Sequence, residues 1–108
     1  MNFVDLYSLS LHLAIAEKML VDGEAILRIA RSNLDRWLRN KTFAAAEARP
    51  YLEWRDIVDN SSIEEIRRLI TADTDEGQRL RSSSPFTGVL TKAERESYWS
   101  KCAEIRPV

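Results

Sequence analysis

Apolar residues recur at intervals of three and four along most of the chain, which is the spacing of one face of an α-helix. The pattern predicts a helix from Asp5 to about Val21, with a break at Asp22-Gly23. Its apolar stripe is broad enough to need two neighbours, either within the chain or in a second copy, so a homodimer is one arrangement that it favours. The stripe consists of Leu6, Leu9, Leu11, Leu13, Ile15, Ala16, Met19 and Leu20.

A second helix is predicted from about Gly23 to Arg39, where Asp22 can cap its first turn. The connection between the two helices is short, and short connections join antiparallel neighbours. The first 39 residues are therefore expected to form an antiparallel helical hairpin. The inner face of the second helix consists of Ile26, Leu27, Ala30, Leu34, Trp37 and Leu38.

Start signals predict further helices downstream. A bend is expected at Pro50, with a helix from there to about Val58. Ser62 with Glu65 has the capping-box pattern, and Thr74 can cap a short helix that follows. The expected helices cover about 50–58, 63–70, 75–81 and 92–104, with Tyr98, Trp99 and Cys102 on the inner face of the last.

These elements define the predicted fold class. No stretch alternates apolar and polar residues long enough to indicate a strand. We expect an all-α protein, a compact bundle of five to six helices. With 108 residues it should form a single domain over residues 1–108, with a flexible tail from about residue 105.

A non-helical segment, Ser82–Thr91, separates the last two predicted helices. Pro85 lacks an N–H and disfavours helical geometry at the residue before it, so the upstream helix should end by about Ser83. Thr91 with Glu94 repeats the capping-box pattern and starts the next helix. The apolar residues between these two signals either fill the protein's own core or dock a partner, and both interpretations stay open. They are Phe86, Val89 and Leu90, with Gly88 allowing a turn among them.

Charge and composition limit the classes of function. Sixteen basic and seventeen acidic residues give a formal net charge of −1, which argues against a general nucleic-acid binder. The single cysteine, Cys102, precludes an internal disulfide and fits a reducing compartment. No apolar run has the length of a membrane span, and the N-terminus does not resemble a signal peptide. We therefore expect a cytoplasmic protein.

The sequence offers little for catalysis. One histidine, His12, and one cysteine cannot form a standard zinc site, and three glycines form no phosphate-binding loop. His12 lies beside an apolar helix face, where a structural or interface role is the favoured interpretation. We expect no cofactor, no metal and no enzymatic activity.

Arginines precede the Ser82–Thr91 segment and suggest two binding functions. A cluster beside an apolar segment is typical of a surface that recognises an acidic protein partner. The alternative is a helical DNA-associated transcriptional regulator, reading DNA with Arg28, Arg31 and Arg39 or with Arg67 and Arg68. The candidate partner-binding residues are Arg79, Arg81, Ser84, Pro85, Phe86, Gly88, Val89 and Leu90.

An ordered set of short motifs resembles a family of small bacterial helical proteins without an established activity. The most specific motif is 83–91, SSPFTGVLT, closed by Glu94-Arg95. The resemblance implies the small partner of a two-gene, toxin–antitoxin-like module, and it assigns no role to individual positions. The other motifs are Leu11-His12 with Ala16, Asn33-Leu34 with Arg36-Trp37, Tyr51-Leu52 with Trp54, and 78–81, QRLR.

Overall fold

The computed structural model of the chain describes residues 2–39 and 45–105. Five α-helices account for most of these residues, and none of them lies in a strand. The predicted all-α class is confirmed, with the lower of the two expected helix numbers. Residues 106–108, in the predicted flexible tail, lie outside the described part of the chain. In chain order the helices are α1 (Phe3–Leu38), α2 (Ala45–Asn60), α3 (Ile63–Thr71), α4 (Asp75–Arg81) and α5 (Lys92–Ile105).

The first helix contains the break that the sequence predicts, in the form of a kink. Asn2 caps its start, because the Asn2 side-chain oxygen accepts a hydrogen bond from the Asp5 N–H at 2.8 Å. At Asp22 the backbone leaves helical geometry, with φ −150° and ψ 76°. The Asp22 carboxylate accepts the Ala25 N–H at 3.1 Å, as the N-cap of a new helix does. The two halves of α1 are thus separate helical stretches that meet at one residue.

Two hydrogen bonds show that α1 bends at this kink. His12 and Asn33 would lie about 32 Å apart on a straight helix, at 1.5 Å per residue. Yet His12 hydrogen-bonds the Ser84 hydroxyl, and Asn33 hydrogen-bonds the carbonyl of the next residue, Pro85. Both halves of α1 therefore reach the same short segment.

The core lies where both halves of α1 meet α2, α3 and the segment after α4. Of the inner face predicted for the second half of α1, Ile26, Leu27, Ala30 and Leu34 are buried, while Trp37 and Leu38 are only partly buried. Trp54 of α2 is fully enclosed. The Trp54 indole N–H donates to the Leu80 carbonyl at 2.9 Å, so this large ring is buried with its one polar atom paired. The main buried residues are Ile15, Met19, Ile26, Leu27, Ala30, Leu34, Trp54, Val58, Ile66, Ile70, Leu80, Phe86 and Leu90.

The predicted helix starts are confirmed by their hydrogen bonds. The Glu65 N–H donates to the Ser62 hydroxyl at 3.1 Å, while the Glu65 carboxylate accepts the Ser62 N–H. The Thr74 hydroxyl accepts the Gly77 N–H at 3.0 Å and so caps α4. The reciprocal pair also forms between Thr91 and Glu94, at 3.0 and 3.1 Å. α3, α4 and α5 therefore begin where a local side-chain signal places them.

Two predictions about α2 and α5 are wrong. α2 runs without interruption from Ala45 through Pro50, where a new start was expected. Because Pro50 has no N–H, only the hydrogen bond to the Ala46 carbonyl is lost, and it is lost near the start of the helix. Trp99 is 49% exposed, although it was predicted to be buried. Cys102, predicted on the same inner face, is buried as expected, against Ser10 of α1.

Part of the broad stripe on α1 stays uncovered within the chain. Leu13 and Leu20 are 49% and 68% exposed. Leu13 borders a depression toward α3 on one side and another toward α5 on the other side. These helices therefore cover the two flanks of α1 and leave a ridge between them. Among the described residues, no helix combines the length and apolar character that crossing a bilayer demands.

We expect Gly77→Ala to destabilise the protein by about 2–3 kcal/mol, the cost of forcing extra atoms into a packed site. A Cβ at Gly77 would collide with the carbonyl oxygen of Ala72, where the chain turns between α3 and α4. Urea denaturation measures the change, with Gln78→Ala on the exposed neighbour as the matched control. If Gly77→Ala instead stabilises the protein, as helix propensity alone would predict, this contact is not tight.

Candidate functional site

The Ser82–Thr91 segment is fixed by three side chains that lie inside the protein. Pro85 is fully buried, and Phe86 and Leu90 are 3% and 4% exposed. The Phe86 ring meets Trp54 edge to face, with centroids 5.6 Å apart. Of the two interpretations left open by the sequence, core filling describes these three residues. Val89 is half-buried and packs against the same core.

One buried amide holds the backbone of the segment. The two N–H bonds of the Asn33 amide donate to the carbonyls of Pro85 and Thr87, each at 2.8 Å. Its oxygen accepts from the Arg36 guanidinium at 2.7 Å. Asn33 is 6% exposed; its bond to Pro85 is buried, and its bonds to Thr87 and Arg36 are partly buried. A polar amide on the apolar face of a helix was the sequence signal for this role, which the sequence analysis did not assign.

Both ends of the segment are also bonded to helices. The Ser84 hydroxyl lies 2.7 Å from His12 Nε2, and the Arg95 guanidinium of α5 donates to the Leu90 carbonyl at 2.7 Å. Between these points the chain turns outward at Gly88, whose φ of +91° favours glycine. Thr87 and Gly88 are exposed, and we call these two residues the tip. The tip is thus a short exposed turn on a segment that α1 and α5 hold in place.

The protonation of His12 follows from its partners. Nδ1 lies 2.7 Å from the Ser8 carbonyl, which can only accept, so Nδ1 carries the proton. Nε2 is then the acceptor for the Ser84 hydroxyl. The pKa of His12 is lowered from 6.5 to about 4, mainly by burial; the Ser8 bond raises the pKa and the Arg81 charge lowers it. His12 is neutral at pH 7.

A serine that donates to a histidine has the form of an activated nucleophile, but this pair has the wrong surroundings for that chemistry. A general base must become positively charged during the reaction. Burial and Arg81 both disfavour the charged form of His12, and a carbonyl holds Nδ1 where a carboxylate would stabilise it. The pair therefore suits a structural bond. Within residues 2–39 and 45–105 no three potential metal ligands cluster together.

The two arginines predicted to bind a partner are engaged within the chain. Arg81 is 4% exposed and donates to the Ile70 and Ala72 carbonyls at the end of α3, with burial lowering its pKa. Arg79 is exposed but forms a bidentate pair with Glu53 at 2.8 Å and a second pair with Glu76. The structure thus places neither guanidinium at the tip.

A groove of about 370 Å³ lies between the segment and the first half of α1. Its lining is mostly apolar, with a few polar groups along one side. The sequence analysis did not predict this groove, because its walls come from three distant parts of the chain. The lining residues are Leu11, His12, Ile15, Ser84, Phe86, Thr87, Gly88, Leu90 and Arg95.

Comparison of the chain with models of known families, with curated proteins and with solved structures finds no match. The resemblance to the small partner of a toxin–antitoxin-like module therefore stays a prediction.

Replacing Asn33 with leucine should cost about 2–4 kcal/mol, because the Pro85 and Thr87 carbonyls lose their donors in a buried site. Leucine keeps the branching of asparagine at Cγ and removes its two donors, so the loss reports the hydrogen bonds together with the fit of two bulkier methyl groups. Urea denaturation measures it, with Asn60→Leu at the exposed end of α2 as the control, expected within about 0.5 kcal/mol. An equally small change for Asn33→Leu would contradict the role of this amide.

His12 should make stability fall as the pH drops. Its folded pKa of about 4 lies below its usual 6.5, so the unfolded chain binds the proton first and stability is lost from pH 6.5 downward. The loss should reach about 2 kcal/mol between pH 6.5 and 4.5. His12→Gln should remove this slope, measured by urea denaturation at several pH values.

This pH window isolates the histidine from the carboxylates. Hydrogen bonds lower the pKa of Glu53, Glu76 and Glu94, so their stabilisation is lost only below pH 4.5. Equal slopes for the wild type and His12→Gln above that pH would show that His12 is not buried in neutral form.

Proposed function

We propose that this protein is a non-enzymatic binding subunit, antitoxin-like, that contacts a partner protein through the Ser82–Thr91 segment and the adjacent helices. The observation that carries the proposal is an exposed tip whose backbone is already fixed. Asn33 bonds the Thr87 carbonyl, and the groups on both sides of the tip are held from α1 and α5. A loop held in one conformation loses little further entropy when it binds, so its contacts contribute more directly to affinity.

The buried residues of the segment act in this proposal by positioning the tip. Pro85, Phe86 and Leu90 fix the segment against the core, and the partner contacts Thr87, Gly88 and the exposed part of Val89. Surface loops on rigid scaffolds commonly carry binding functions for this reason.

Two arginines beside the segment supply the charge. Arg36 is linked to the tip through Asn33, and Arg95 is linked to it through Leu90. Neither has a carboxylate partner among the residues that the structure describes. These two side chains take the orienting role that the sequence analysis gave to Arg79 and Arg81. An acidic partner surface complements them.

The proposal includes the antiparallel hairpin and a homodimer. His12 and Asn33 meet consecutive residues of the segment, and the hairpin arrangement of the two halves of α1 explains this. The exposed ridge of Leu13 and Leu20 supplies apolar surface for a second copy. A cytoplasmic location is part of the same proposal, supported by a chain whose one cysteine is a buried free thiol.

The alternative, a DNA-associated regulator, has less support. Arg31 pairs with Asp59 and Arg68 pairs with Glu64, so both charges are partly neutralised. Arg67 donates to the Ala16 carbonyl. Binding to the gene's own upstream DNA that weakens steeply with salt would favour the alternative.

Thr87→Lys should reduce capture of the partner at least tenfold, because a long charged side chain at the tip blocks close contact. The tagged protein is purified from its native host, and the product of the neighbouring gene is quantified in the eluate. Ser97→Lys adds the same charge on an exposed position of α5 and should leave capture unchanged. The proposal fails if the wild type retains no specific protein, or if Thr87→Lys retains the same amount.

A further inference from the structure

The groove beside the segment is large enough and apolar enough to receive a large apolar side chain. Its volume of about 370 Å³ is at the lower end of the range for small-molecule sites. Leu11 and Ile15 of α1 form one wall, and Phe86 and Leu90 of the segment form the other. Its polar edge is occupied internally, since His12 and Ser84 bond one another. A ligand in the groove can therefore make apolar contacts with its two walls.

A positive charge lies at the edge of this groove. Arg95 lines the groove, and one nitrogen of its guanidinium donates a hydrogen bond to the Leu90 carbonyl. The guanidinium is otherwise unpaired with any carboxylate in the described part of the chain, whereas Arg79 is held by two. A guanidinium in this state can bind a carboxylate through its remaining N–H groups.

An aromatic surface continues from Arg95 along α5. Trp99 follows one turn later, about 6 Å along the helix, and half of its surface is exposed. Edge-to-face contacts with Phe3 and Tyr7, at 4.5 and 5.0 Å, fix its orientation. The Tyr7 hydroxyl donates to the Arg95 carbonyl at 3.3 Å. Tryptophan, tyrosine and arginine are the residue types enriched where protein interfaces gain most of their affinity.

From these observations we infer that the groove binds a short apolar–acidic segment of the partner protein. A large apolar side chain of that segment enters the groove, a neighbouring Asp or Glu pairs with Arg95, and the chain continues across Trp99. The surface from the groove to Trp99 extends beyond one side chain, so its occupant is a peptide segment. This inference rests on the proposed function and names the chemistry of the partner.

The test selects random twelve-residue peptides, displayed on phage, against the immobilised wild-type protein. The expected consensus has a large apolar residue with Asp or Glu within two positions. The selected peptide is then synthesised with a fluorophore, and its Kd is measured by anisotropy. Arg95→Gln should weaken binding at least tenfold, while Arg28→Gln, the same change at an exposed position of α1 outside the groove lining, should alter it less than twofold.

A charge exchange keeps the test valid if Arg95→Gln perturbs the fold. Arg95→Glu should lose the acidic peptide and regain affinity for the same peptide with Lys at the acidic position. A consensus without acidic residues, or no effect of Arg95→Gln, overturns the inference. So does equally tight, Arg95-dependent binding of 4-methylpentanoate, because the site would then serve a small carboxylate.

Failure of this inference is separable from failure of the proposed function. If Arg95→Gln captures the native partner as well as the wild type while Thr87→Lys does not, the tip binds a partner and the groove does not. If neither variant changes capture, both the inference and the proposed function are overturned.

Discussion

The hydrogen bonds of a single buried amide are the constraint on which the candidate site depends. Once Pro85 and Phe86 enter the core, the carbonyls of Pro85 and of Thr87 beside them are drawn against α1 and need donors. Asn33 supplies two donors from one planar group, to carbonyls that are two residues apart. The segment could enter the core without this amide only by leaving buried acceptors unpaired. The pose of the tip therefore follows from a residue on α1, more than fifty positions earlier in the chain.

The kink at Asp22 is what makes this arrangement possible. Asn33 lies on the second half of α1 and His12 on the first, and both must reach one segment. Helical geometry through Asp22 would carry the two side chains apart. Since the segment bonds both halves, it also holds them together, and the kink and the segment depend on each other. Loss of the segment's hydrogen bonds would therefore change the orientation of the two halves of α1 as well as the loop itself.

The sequence predicted the parts of this fold that local chemistry decides. Capping pairs such as Ser62 with Glu65 act within one turn, and Pro85 stops a helix whatever surrounds it. The exposure of the Trp99 side chain depends on where α5 crosses α1, and the local spacing of apolar residues carries no information about that crossing. The same holds for the candidate site. Pro85, Phe86 and Leu90 were identified from their pattern, yet their direction, inward in the structure, depends on Asn33 and Trp54, which are remote in sequence.

The arginines show how the fold, and not the composition, decides which charges remain for recognition. Arg79 and Arg81 lie beside the segment in sequence. Arg79, however, forms ion pairs with two carboxylates, and Arg81 donates to carbonyls at the end of α3. Arg36 is distant in sequence and Arg95 lies just after the segment on α5, and both keep donors free there. A partner that binds them also contacts groups that fix the tip, through Asn33 on one side and Leu90 on the other. Binding and stability are then linked, because a ligand that binds only the folded segment stabilises the whole helical scaffold.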